Sequence, residues 1–153
     1  MKRFQSRWAT LQRLARQRKQ LAELALLKTQ QQHAKAQQNY QQAIEQREHD
    51  LATLGNLTAS PFQTQLLLTG HHFLKQQEAE LSAAAQGVEL ASQRQLEAML
   101  EWQRRSVQLD QNTTLVQVER DQFAEESIRQ EQTELDEAVQ QYRRSVAGRG
   151  EVQ

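Results

Sequence analysis

The stretch that decides the fold is residues 74–123, LKQQEAELSAAAQGVELASQRQLEAMLEWQRRSVQLDQNTTLVQVERDQF. Within it Leu74, Leu81, Val88, Gln95, Trp102, Leu109, Val116 and Phe123 stand seven residues apart, and only Gln95 is polar. Ala84, Ala85, Ala91, Ala98 and Met99 follow these positions at three or four residues. A heptad sustained this long is the pattern of a helix supercoiled on a partner. The small companion residues predict close approach of the two backbones.

Working outward, the only cluster of helix breakers is Gly55, Asn56, Ser60 and Pro61. No Gly or Pro interrupts Arg3 to Leu54, and only Gly70 and Gly87 interrupt Phe62 to Ala147. Gly55 and Asn56 suit a left-handed helix C-terminus. Ser60, Pro61 and Gln63 read as an N-cap, a first helical residue and a capping-box partner. The expected architecture is all-α: two long helices forming an antiparallel coiled-coil hairpin, the second longer. The chain reads as a single coiled-coil domain over 1–153, with helix one about 3–54, a turn about 55–61 and helix two about 62–147. At 1.5 Å per residue the helices would run roughly 78 Å and roughly 130 Å, too long to bury in a globule. Leu66, Leu67 and Leu68 form an apolar knot that reads as the start of helix two, a separate short helix or a tucked loop.

The seam of helix one is less regular. It is drawn through Phe4, Trp8, Leu11, Ala15, Ala22, Ala25, Ala36, Tyr40, Ala43, Arg47, Leu51 and Leu54. A short turn makes the second helix a local partner, so little loop-closure entropy opposes a hairpin. A turn centred near residue 62 sets Trp8 opposite Val116 and Phe4 opposite Arg120. Beyond Phe123 the heptad changes phase: Ile128, Leu135 and Tyr142 are spaced by seven, with Val139 and Val146 beside them. Such a shift rotates the apolar stripe off the internal seam. Residues from Asp121 to Val146 are therefore expected either to overhang as a single helix facing another protein or to receive helix one in a different register.

Composition agrees with helices and with binding rather than catalysis. Roughly a fifth of the residues are glutamine, far above the usual share. Good helix formers dominate and β-branched residues are few. Net charge is zero, yet Met1 to Leu21 holds seven Lys/Arg and no acid, while from Glu119 to Glu137 acids outnumber bases eight to two. A basic end can serve nucleic acid or anionic lipid. Its aromatic residues do not interleave with the bases in a stacking pattern and net charge is zero, so nucleic acid ranks last among the partners. There is no cysteine, which excludes disulfides and a thiol nucleophile. No signal-like or membrane-length apolar run is present, so a cytoplasmic location is expected.

The residues of an active site are not assembled in the pattern. His71 and His72 are neighbours and would point about 100° apart on a helix, and His33 and His49 lack the three- or four-residue spacing of a helical metal pair. No Gly-rich phosphate loop or inward Glu-x-x-His pair occurs. No catalytic residues, no metal and no cofactor are expected.

At its ends and in helix two the chain resembles the FliJ proteins of bacterial flagella. The opening residues Phe4, Arg7, Trp8, Leu11, Arg13 and Leu14 look like the start of that family. Trp102, Arg104, Arg105, Val107 and Leu109 are similar to its tryptophan-plus-basic stretch, and Glu125 to Ala138 to its acidic Leu-Asp-Glu patch. The resemblance implies a two-helix hairpin acting as a stalk of a type III export apparatus. It implies insertion into a hexameric export ATPase (FliI-like), contact with an export gate protein (FlhA-like) and handling of substrate chaperones. Such a protein would be cytoplasmic and held at the inner-membrane export machinery by protein contacts. Taken with the stripe, the resemblance sets Trp8, Leu11, Ile128, Leu135, Val139, Tyr142 and Val146 at the ATPase end. It sets Tyr40, Ile44, Phe73 and Gln77 toward the gate. The equivalent stalk of a virulence secretion system, or a generic helical chaperone or tether, are the alternatives.

Overall fold

The computed structural model describes residues 3–57 and 64–150. Its elements are two α-helices, α1 (Ala9–Leu57) and α2 (Thr64–Gly150), with no strand among the described residues. The helices pair antiparallel, and α2 is the longer. Spatially the chain divides into two units, one made of 1–17 with 107–153 and the other of 18–106.

The ends of the helices differ from the sequence expectation, for local reasons. Arg3 to Ser6 is not helical, and α1 starts at Ala9 rather than near residue 3. Ser6 acts as the cap: its hydroxyl accepts the Trp8 N–H at 3.1 Å and its carbonyl accepts the Ala9 N–H at 3.3 Å. These bonds satisfy donors that the first turn leaves without intrahelical acceptors. At the far end α1 runs through Gly55 and Asn56 to Leu57, and no described residue has a positive φ. The expected left-handed C-terminus at Gly55 is therefore not formed. Ser60, Pro61 and Gln63 lie outside the described residues. Thr64 already belongs to α2, so the Leu67–Leu68 knot is the opening of that helix and neither a separate helix nor a tucked loop. Both leucines are exposed.

In the unit of 18–106 the seam follows a strict alternation of three and four residues. On α1 the partly covered positions run Lys19, Ala22, Leu26, Thr29, His33, Ala36, Tyr40, Ala43, Arg47, Asp50 and Leu54, with Ile44 beside them. Ala25 and Leu51, expected in the seam, are exposed, and Leu26 and Asp50 take their places. The reason is continuity: only these positions keep the 3.5-residue average that holds one stripe toward a partner. On α2 the expected heptad Leu74, Leu81, Val88, Gln95 and Trp102 is in the seam, with Ala84, Ala91 and Ala98 as companions. Ala85 and Met99 are exposed.

Register is fixed here by two contacts. Leu54 packs on Gly70, where an added Cβ would meet a Leu54 methyl at 3.2 Å. The Gln77 amide donates to the Asp50 carboxylate. Counting from these pairs puts large residues against small ones: Trp102 level with Ala22, Leu26 with Ala98, Tyr40 with Ala84, Ala43 with Leu81. Ala22 is only 8% exposed, and close packing of this kind needs such alternation. The layers are not uniformly apolar. Arg47 Nε, Gln77 Oε1 and Trp102 Nε1 are buried without a hydrogen-bond partner. Arg105 is held by Glu101 at 2.7 Å one turn earlier.

Candidate interaction surface

The unit of 1–17 with 107–153 contains the paired ends of both helices and the free end of α2. Gln12, Ala15 and Trp8 line α1, and Leu109, Asn112, Val116, Glu119 and Phe123 line α2. Ala15 is 7% exposed. The Gln12 amide donates to the Thr113 hydroxyl at 3.3 Å. Gln12 thus holds the seam position that hydrophobicity alone assigns to Leu11, and Leu11 is exposed on the flank.

Toward the start of the chain the pairing ends in a mixed polar and aromatic lock. The Ser6 hydroxyl donates to Glu119 Oε2 at 2.5 Å, and Arg7 Nε lies 3.2 Å from Glu119 Oε1. Phe4 stacks on Phe123 with ring centroids 5.4 Å apart, tilted by 53°, and the Arg120 guanidinium sits 5.8 Å from the Phe4 ring. Arg7 lies over Trp8 at 5.2 Å. The expected pairing of Phe4 with Arg120 is therefore formed. The Arg7 pair is largely open to water and contributes little by itself. The Ser6 contact gives Glu119, a half-buried carboxylate, a second partner. Nothing in the spacing of Ser6 and Glu119, far apart in sequence, announces this link.

Past Phe123, α2 continues without α1. From Ile128 to Gly150 every residue is exposed. Ile128, Leu135, Val139, Tyr142 and Val146 form the stripe that the phase shift predicts, and Tyr142 is 71% exposed. The overhang exists but begins past Phe123 rather than at Asp121, because Phe4 stacks on Phe123, and α1 does not fold along it. Their spacing, seven from Ile128 to Leu135 and then four, three and four, is that of a coiled-coil seam. Around the stripe stand Glu125, Glu126, Glu131, Glu134, Asp136 and Glu137. A shallow groove bounded by Gln122, Glu126, Arg129, Thr133 and Glu137 runs along this one helix and encloses nothing. Isolated exposed apolar residues are ordinary; here five stand in a row on an unpaired stretch of helix.

The residues expected at the other site are distributed differently. Phe73 is exposed. Tyr40 and Ile44 are half-covered, and Gln77 is committed to Asp50 in the seam. These four do not form one exposed surface. No group of three or more His, Cys, Asp or Glu able to hold a metal occurs among the described residues. No described helix is long and apolar enough to cross a membrane.

Comparison with known proteins gives one informative result. The family model described as "Flagellar FliJ protein" matches residues 4–147, from the aromatic lock to beyond the exposed stripe. No characterised protein and no solved structure matches.

Proposed function

The chain belongs to the flagellar FliJ family, components of the flagellar export apparatus, and from that premise we propose that it acts as the central stalk of an export ATPase ring. The observation that carries this reading is the free end of α2, where an apolar row stands exposed on a helix that has no partner of its own. Ile128, Leu135, Val139, Tyr142 and Val146 make the contact inside the ring. Trp8 and Leu11, on the neighbouring paired end, support it. Acidic residues beside the row and basic residues on the first turns of α1 meet ring surfaces of either sign. Exposed ion pairs add orientation and speed more than affinity, so the apolar row carries most of the binding.

The export gate and substrate chaperones are the further partners in this reading. Of Tyr40, Ile44, Phe73 and Gln77, Phe73 offers the accessible contact, and Tyr40 and Ile44 are half-covered. Gln77 serves the gate indirectly, by fixing the register of α2 against Asp50. The protein itself carries out no chemistry; hydrolysis belongs to the ATPase. It works in the cytoplasm, held at the inner-membrane machinery by these contacts.

The test is to mix the purified protein with a flagellar export ATPase. Substoichiometric addition is expected to raise ATP hydrolysis and hexamer formation. A tether would leave both unchanged, and that result would end the stalk reading. The same experiment with the ATPase of a virulence secretion system tests which machine the stalk serves: stimulation of the flagellar enzyme alone is expected.

A further inference from the structure

In the unit of 1–17 with 107–153 the bases gather on α1 and the acids on α2 from Glu125 to Glu137, and the paired and free halves each carry an apolar surface. On the paired half, Leu11, Leu14, Leu115 and Val118 are all exposed. Heptad positions put Leu11 and Leu115 on the same flank of the seam, with Leu14 and Val118 next to them. They form one two-helix apolar face instead of four scattered residues. Arg3, Arg7 and Arg13 stand beside it, and α1 contributes no acid there. On the free half the exposed row of Leu135 and Val139 is bordered by Glu131, Glu134 and Asp136.

We propose that a second copy of this chain covers both surfaces, the free α2 end of each protomer lying on the basic leucine face of the other. The occupant follows from complementarity: a basic face with leucines needs an acidic helix with an apolar row, and the chain supplies one. A two-fold axis crossing α2 near Ala124 makes the arrangement self-consistent. It brings Leu135 and Val139 of one copy level with Leu11 and Leu14 of the other, and the reverse. Such an interface is isologous and closes on itself, so it stops at two copies. The dimer hides the row that binds the ATPase, so self-association and ring insertion exclude each other. The proposal stands on charge and exposure and does not depend on the ATPase reading.

Sedimentation of the full chain across a concentration series, at low and high salt and without ATPase, tests it. A mass twice that of the monomer is expected at low salt, falling toward the monomer as salt screens the charges. Two variants sharpen the test: Leu11→Glu with Leu14→Glu, and Glu131→Lys with Glu134→Lys. Each alone should sediment as a monomer, because each sets like charges against one another. Mixed in equal amounts, they should form a heterodimer, since both of its interfaces then pair acid with base. Recovery in the mixture also shows that neither variant is misfolded. A wild-type chain that stays monomeric overturns the proposal. So does a dimer that survives the leucine substitutions, or a mixture that fails to associate while each variant keeps its wild-type helicity.

Discussion

Single residues settle which of several apolar stripes becomes the seam. Leu11 is more hydrophobic than Gln12, yet Gln12 is in the seam and Leu11 is out. The choice follows from spacing: Trp8, Gln12, Ala15 and Lys19 are separated by four, three and four, whereas Leu11 in place of Gln12 would leave two successive intervals of four, Leu11 to Ala15 and Ala15 to Lys19. Two substitutions probe this level. Val88→Asp puts a carboxylate into the seam and should lower stability by an amount on the order of several kcal/mol. Gln103→Asp, on an exposed position, should move the melting temperature little; equal shifts would mean that the seam is misassigned. Gly87 is helical and meets nothing within 4 Å of an added Cβ. Gly87→Ala should therefore raise stability by about 0.5–1 kcal/mol, read as a higher melting midpoint in circular dichroism. Gly70→Ala should gain less, because its new methyl presses on Leu54 at 3.2 Å and part of the helix-propensity gain is spent in moving that side chain.

Between elements, register is the controlled quantity. In one unit it is held by Leu54 on Gly70 and by Asp50 with Gln77. In the other it is held by Gln12 with Thr113, Ser6 with Glu119 and Phe4 on Phe123. A slip by one heptad would set Trp102 against a residue other than Ala22 and lose the match of large with small. Trp8 and Val116 share a level in this register. The pair Trp8→Cys and Val116→Cys should bridge under oxidation, seen as a faster-migrating band on a non-reducing gel. Absence of that band would show the register to be wrong. The resemblance to the family was legible in the opening residues, in Trp102 to Leu109 and in the acidic stretch, and the family match now covers 4–147. The Ser6 cap was legible in principle too. Serine followed by a helical run is an N-cap signal, but the absence of Gly or Pro after Arg3 favoured an earlier start.

At the scale of the whole molecule, the inequality of the helices is what gives function a place. A hairpin with matched helices hides its seams; here α2 continues to Gly150, past Phe123, where the described pairing with the start of the chain ends. Truncation after Phe123 should leave the paired helices folded, with nearly unchanged melting, because residues beyond Ile128 cover nothing. It should abolish stimulation of the export ATPase. Retained stimulation would move the contact elsewhere on the chain. The four residues proposed for the gate were the least legible part. Tyr40, Ile44, Phe73 and Gln77 were grouped by resemblance, and burial depends on register, which separates exposed Phe73 from seam-bound Gln77.

The sequence by itself determined that there are two helices, that the second is longer, that its heptad runs from Leu74 to Phe123, and that the stripe beyond changes phase. Each of these is a matter of periodicity and breakers, which are local and survive without a fold. The tertiary structure decided which facet of α1 is buried, where α1 begins, and that Ser6 and Arg7 lock onto Glu119. Those depend on what lies opposite, and the chain learns what lies opposite only when the two helices have met.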